Sequence, residues 1–220
     1  MGLIDVCYLD EAGFSMTLPP CRSWFPRGER LEVAYQAPEG RRVKAIGAHF
    51  THGPQAGRFE YQSWATLPKS RAKQQRKTAA QRAAAQGLGE DEIGPITSDR
   101  LLGFIWRAAG RDPEAGEGWK RACPLMVVLD NYSVHRSEMV EAGKEELKAA
   151  GVHLEYLPSY SPELSRIEPD WNDIKQQHLP VRSFEKVADL KRAVDNALAR
   201  KAYQLQQAHA KTASLRQADT

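Results

Sequence analysis

Cysteine is scarce in this chain of 220 residues: Cys7, Cys21 and Cys123 stand far apart, odd in number and without a Cys-x-x-Cys pair. That argues against a disulfide framework and against a cysteine-built zinc site. Long apolar runs are missing too. None approaches the roughly 20 residues needed to cross a bilayer. The amino terminus carries Asp5 early and has no basic stretch ahead of an apolar core, so it does not read as a signal peptide. The chain is expected in a reducing, cytoplasmic compartment with no membrane partner. Excess charge of one sign is small, with 31 Lys and Arg against 28 Asp and Glu and a net charge of +3. That total alone does not demand a polyanionic partner. Hydrophobic residues at 41% and charged residues at 27% are ordinary for a folded protein, and the length suits one domain with room for a small appendage.

What is present alternates in character along the chain. Residues 3–9 are apolar and aromatic and give way to Glu11-Ala12-Gly13, which reads as a buried strand opening the fold. Residues 42–50 and 58–65 read as two more strands joined through the Gly53–Gly57 turn. Residues 69–86 are Ala, Gln, Lys and Arg almost throughout, a strong helix composition without a continuous apolar stripe. Lys69, Arg71, Lys73, Arg76, Lys77 and Arg82 carry its positive charge with no acid among them. An acidic, flexible connector is expected over 87–95, then a helix capped by Thr97 and ended by Gly110. The apolar run 124–129 reads as a strand covered on both faces. Residues 137–150 form a helix that stops at Gly151, 152–157 a strand, and 167–177 a helix. A last amphipathic helix carries Phe184, Val187, Leu190, Val194 and Leu198 at spacings of three and four. Beyond about residue 201 its apolar stripe thins, and a polar tail that frays or waits for a partner is expected over 201–220. The order of elements implies an α/β layer fold with a mixed, five-stranded sheet flanked by helices.

Three acids stand where strands end or helices begin. Asp10 follows the first strand and Asp130 the buried apolar strand, and carboxyl ends of strands in α/β sheets face the crevice where ligands bind. A carboxylate there is costly unless it is solvated or holds a cation. Glu168 opens the helix whose buried stripe is Ile167, Trp171 and Ile174, with Pro169 fitting only a first turn. Carboxylates are hard ligands suited to Mg²⁺ or Mn²⁺. Two such ions about 4 Å apart serve phosphoryl transfer by activating the attacking oxygen and stabilising the leaving one. Spacing alone leaves open that these are solvated surface acids.

The flanking residues are more specific. Val127-Val128-Leu129-Asp130-Asn131-Tyr132-Ser133-Val134-His135 resembles the second-aspartate motif of the DDE transposases, in their mariner-like bacterial insertion-sequence branch. Tyr156-Leu157-Pro158-Ser159-Tyr160-Ser161-Pro162-Glu163-Leu164, with Ile167, Glu168, Trp171 and Lys175, is similar to that branch's third-acid motif. Leu9-Asp10-Glu11-Ala12-Gly13-Phe14 is similar to its first, with Trp24 and Gly28 fitting the loop after it. The resemblance covers residues 3 to about 198. It implies an RNase H-like fold over 1–200 and two divalent ions, Mg²⁺ or Mn²⁺, on Asp10, Asp130 and Glu168. It also implies a DNA endonuclease and strand transferase acting at transposon ends, where water first attacks a phosphodiester and the freed 3′-hydroxyl then attacks target DNA. Here Leu164-Ser165-Arg166-Ile167-Glu168 replaces the branch's usual Leu-Asn-Pro-Ile-Glu, and Asp130 and Glu168 stand slightly farther apart than is usual.

DNA is the expected partner, with the chain a homo-oligomer on it near the bacterial nucleoid. The family's helix-turn-helix reader is not seen ahead of residue 3 and is expected on a separate subunit or segment. The basic helix looks like an insertion at about 67–96, and six positive charges without an acid are what counterion release from DNA rewards. Candidate DNA contacts are Arg71, Lys73, Arg76 and Lys77 in that insertion, with Asn131, His135, Arg166 and Lys175 near the acids. The alternative for the charge run is a solvated helix face, and for His135 a loop histidine bonded to backbone. Glu11 should point away from Asp10 along the strand. The alternative function is a truncated, non-catalytic protein that binds DNA or a full-length transposase.

Overall fold

The computed structural model describes residues 4–16, 26–28, 42–67, 78–116, 118–130, 137–158, 161–180 and 182–218. Five strands form one sheet: β1 (Asp5–Ser15), β2 (Arg42–His52), β3 (Phe59–Thr66), β4 (Leu125–Leu129) and β5 (Val152–Tyr156), in the order β3-β2-β1-β4-β5. The first three pair antiparallel, whereas β4 and β5 join parallel to β1. An antiparallel meander extended on one side by two parallel strands is the RNase H-like arrangement implied by the sequence. Each parallel step is made by a crossover helix, as parallel pairing requires.

The helices are α1 (Ala79–Ala84), α2 (Ser98–Ala108), α3 (Glu138–Ala149), α4 (Glu168–Asp173), which continues without a break into a π-helical turn (Ile174–His178), and α5 (Val187–Ala218). Local chemistry explains most of their ends. Thr97 and Ser137 accept the N–H groups of Arg100 and Val140 at the starts of α2 and α3. Gly110 and Gly151 take the positive φ that follows a helix. Thr78 and Gln81 make a reciprocal capping box on α1.

Strand alternation divides the apolar residues into two cores. On one face Cys7, Leu9, Ile46, Phe50, Val127 and Leu129 pack beneath α2 and α3. On the other, Ala12, Phe14, Ala45 and Phe59 meet Ile167, Trp171 and Ile174 of α4 and its π turn, and Val187, Leu190, Val194 and Leu198 of α5. Burial pushes the Cys7 thiol up to about 12, partly offset by Arg121 and Arg58, so it stays protonated and unreactive.

Three expectations change. The first strand does not end at Asp10. Because β2 pairs with it from Val6 to Ser15, whereas β4 pairs only from Asp5 to Leu9, Asp10 lies within β1 where its parallel neighbour stops. The connector 87–95 is packed rather than flexible. Ile93 is buried and bridges Ala65, and the Ala65 N–H donates to the Glu92 carbonyl, covering the edge of β3. The tail does not fray at residue 201, since α5 runs on as one helix to Ala218. Its Ala, Gln and Lys composition favours helix, and the Gly53–Gly57 turn abuts it at Leu205 and His209. Of the expected basic helix only α1 is described, with Ala83 buried in the core. Lys69, Arg71, Lys73, Arg76 and Lys77 lie outside the described residues.

At the start of β1, Asp5 is buried against Arg121, with Oδ2 2.6 Å from Nη2. Its Oδ1 accepts the Gln55 N–H, while Arg121 also donates to the carbonyls of Cys123 and Ala109. Removing one partner of such a pair strands a buried charge. Arg121→Met is therefore expected to lower the unfolding free energy by about 3–5 kcal/mol in urea titrations, and the double variant Asp5→Leu/Arg121→Met to recover most of the loss.

Candidate active site

Register and alternation locate the three acids. Leu9 and Leu129 are partners in the parallel ladder, and both are buried on the α2–α3 face. Asp10, the next residue of β1, therefore points to the α4–α5 face, and Asp130 follows directly on Leu129 at the carboxyl end of β4. Neighbouring strands lie about 5 Å apart, so the Leu9–Leu129 pairing makes neighbours of the backbones that carry the two aspartates. Asp10 is half-buried within β1, and Asp130 is exposed just past β4. Glu168, half-buried, is the first residue of α4, which lies over that same face. Among the described residues no three His, Cys, Asp or Glu side chains form a closed metal-holding group.

The placement of α4 follows from how closely it meets the sheet. In the antiparallel register Asp10 pairs with Gly47. A Cβ on Gly47 would come within 2.7 Å of the Trp171 ring. Glycine thus lets the indole rest directly on the backbone beside Asp10, where the rings of Phe14 and Phe59 meet it edge-on. The helix has no local means of fixing its start. Its N-cap is Ile167 with no side-chain cap bond, and Pro169 follows at once. Six α-helical residues are too few to be stable alone, so tertiary contacts decide where Glu168 sits.

Asp170 supplies one of those contacts, and reading the sequence did not single it out. It is 5% exposed. Its Oδ2 lies 2.6 Å from His49 Nδ1 on β2, a close polar contact rather than an aligned hydrogen bond. Its Oδ1 lies 3.0 Å from Lys201 Nζ on α5. Lys201 also contacts Asp173 Oδ2 at 3.0 Å, and Asp173 is 3.3 Å from His178 Nε2 in the π turn. Burial alone would lower the Lys201 pKa, but bonds to Asp173 and Asp170 outweigh it and raise it. The Lys201 bond holds the Asp173 carboxyl below its ordinary value, against the opposing effect of burial. The signal was available, because Asp170 falls three residues after Ile167 and so on the buried stripe of Ile167, Trp171 and Ile174, where a carboxylate needs a partner.

The remaining candidates divide. Lys175 is half-buried on the π turn, its Nζ 5.8 Å from the Phe14 ring centroid. Arg166 is exposed just ahead of α4. Asn131 and His135 lie outside the described residues, as do Arg71, Lys73, Arg76 and Lys77. Glu11 falls on the opposite strand face from Asp10, as alternation requires.

Residues 91–191 match the family model of the DDE superfamily endonucleases. The matched segment contains Asp130 and Glu168, whereas Asp10 lies ahead of it on β1, the strand that pairs with β4. No curated protein matches the chain. Among solved structures, the Mos1 mariner paired end complex with Mn is 14% identical, over 92% of this chain and 52% of that one, with a TM-score of 0.48. The Mos1 strand transfer complex is 13% identical, over 93% and 52%, with a TM-score of 0.49. The catalytic domain of Mos1 mariner transposase is 13% identical, over 93% and 78%, with a TM-score of 0.44. The chain spans about half the length of the first two. No helix among the described residues is long and apolar enough to cross a membrane.

The seat of Trp171 can be tested without chemistry. Gly47→Ala inserts a methyl group into a space the indole already fills, and is expected to cost about 1–3 kcal/mol in thermal or urea unfolding. An unchanged stability would mean that α4 does not rest on β2 as described.

Proposed function

We propose that this chain is the catalytic part of a transposase that cuts and joins DNA strands at transposon ends, with Asp10, Asp130 and Glu168 as its metal ligands. The register supports this reading: Leu9 and Leu129 are paired on adjacent strands, an aspartate follows each, and α4, packed on the face to which Asp10 belongs, begins with a glutamate. Their donor atoms fit Mg²⁺ or Mn²⁺, being hard carboxylate oxygens in a site with no cysteine. Two such ions, when bound, activate the attacking oxygen and stabilise the leaving oxygen of an in-line displacement. Within the chain, Asp10 and Asp130 offer the paired carboxylates and Glu168 closes the set from α4. Three anions gathered on one face repel one another, so the set closes fully only against cations. Lys175, on the turn after Glu168, supplies positive charge for a DNA phosphate beside them, and exposed Arg166 does so ahead of α4. The basic segment ahead of α1 adds contacts that follow the phosphate backbone whatever the base sequence.

A second reading, a DNA-binding protein without catalysis, is favoured by the lack of a closed three-ligand group among the described residues. Metal titration separates the two. Ions that bind only the folded chain stabilise it by mass action, about 2.7 kcal/mol at a hundredfold excess over Kd. Mg²⁺ or Mn²⁺ is expected to raise the Tm of the wild type and not of Asp10→Asn, Asp130→Asn or Glu168→Gln. The same variants are expected to retain the far-ultraviolet circular dichroism of the wild type and to lose divalent-dependent nicking of DNA. A wild type whose Tm ignores both ions at millimolar concentration supports the non-catalytic reading.

Electrostatic footprint and chemistry should separate in a salt series. The combined replacement of Arg71, Lys73, Arg76 and Lys77 by Ala is expected to flatten the plot of log K against log salt by about 0.9 per lost phosphate contact on duplex DNA. The acid variants should keep the wild-type slope. A quadruple variant with an unchanged slope would mean that these four cations do not contact DNA phosphates.

A further inference from the structure

The carboxyl group of Asp170 is buried and outside the proposed ligand set, and its two partners come from different elements. His49 belongs to β2, on the face and strand that carry Gly47, two residues from the seat of Trp171. Lys201 belongs to α5 and reaches both Asp170 and Asp173, so it grips the first turn of α4 and its junction with the π turn together. His178 adds a third link, its Nε2 3.1 Å from Gln204 Oε1 on α5. A helix rises about 1.5 Å per residue, so Asp170 is only about 3 Å along the axis from Glu168. Asp170 and Trp171 together set both the height and the rotation of α4, which has no side-chain cap to do so locally.

We propose that Asp170 is a positioning residue: clamped between His49 and Lys201, it holds α4 so that Glu168 is presented to the face carrying Asp10 and Asp130. The inference rests on the metal-ligand reading above. Asp170 itself faces the sheet and α5 and acts on the metal only through the helix. A buried ion pair that merely contributed stability would be interchangeable with others in the molecule. One is present for comparison. Lys191, 8% exposed, contacts Asp195 at 2.9 Å and Glu92 at 3.3 Å, and Asp195 accepts from the Ser63 hydroxyl. That group ties α5 to β3 and to the covered sheet edge, and none of its members lies on α4.

The test compares Asp170→Asn with Lys191→Met in the full chain, reading Mn²⁺ binding by electron paramagnetic resonance and amide hydrogen exchange of residues 168–173 without metal. Both variants are expected to lower the Tm. Only Asp170→Asn is expected to accelerate exchange across α4, and only it should weaken Mn²⁺ binding, by on the order of 10–100-fold as for other groups that orient a ligand. Lys201→Gln, which removes one holder and leaves the carboxylate, should shift both readouts the same way and serves if Asp170→Asn does not fold. Equal effects of Asp170→Asn and Lys191→Met on Mn²⁺ binding would overturn the proposal, as would α4 exchange that Asp170→Asn leaves unchanged. A wild type that binds no Mn²⁺, while its α4 exchange still depends on Asp170, would sink the metal-ligand reading and leave the clamp standing.

Discussion

Strand β1 is shared by two neighbours that treat it differently, and most of the molecule is arranged by that sharing. Along its whole length it is zipped antiparallel to β2, and along its first half it also serves as the parallel neighbour of β4. The step between the two pairings falls at Leu9 and Asp10. Up to that point the strand is enclosed on both sides, and beyond it one side opens. Because successive side chains alternate between faces, the same step that buries Leu9 under α2 and α3 turns Asp10 towards α4. A shift of one residue in either ladder would exchange a core leucine for an acid, which the two apolar layers do not tolerate. Packing thus enforces the register that pairs Leu9 with Leu129, the residues just ahead of Asp10 and Asp130.

The third acid depends on a different kind of constraint. Strand register places a residue by backbone hydrogen bonds, whereas α4 is a short helix without a cap, begun by Ile167, Glu168 and Pro169. It is placed by side chains: the indole of Trp171 on the bare backbone of Gly47, and Asp170 between His49 and Lys201. The π turn that follows carries Lys175 and His178 and redirects the chain, and such turns often occur near functional sites. One part of the candidate site is therefore built into the sheet and the other is hung from it. A set of ligands with one member on a separately anchored helix can tighten around cations without disturbing the strands.

Charge is distributed to match. At the start of β1 the Asp5–Arg121 pair is closed off from water and satisfied by backbone partners, a structural use of charge. Beside α4 stand Lys175, half-buried on the π turn, and Arg166, exposed just ahead of the helix. Several other arginines lie over aromatic rings, Arg100 over Trp64, Arg107 over Phe104 and Arg111 over Trp106, covering apolar surface as they go. Net charge alone therefore said little about function, since many of the cations are engaged in packing.

All five strands and the helices α2 and α3 were legible from local pattern, because alternation, apolar runs, Thr and Ser caps and terminal glycines act over a few residues. Asp10, Asp130 and Glu168 stood out by the motif residues around them; Asp130 follows β4 and Glu168 opens α4 as read, whereas Asp10 lies inside β1. The true length of β1 was not, since Gly13 and Ala12 interrupt the apolar pattern and only the long β2 partner carries the strand on to Ser15. The packed connector 87–95 and the continuous α5 escaped for a like reason: a polar stretch becomes ordered when a distant sheet edge or turn receives it. The sequence by itself determined where the strands and most of the helices lie, that Asp130 follows β4 and that Glu168 opens α4. Only the tertiary structure decided that Gly47 is the seat of a tryptophan and that Asp170 meets His49 and Lys201. Those partners are far apart along the chain, and no local periodicity encodes which buried charge will find which.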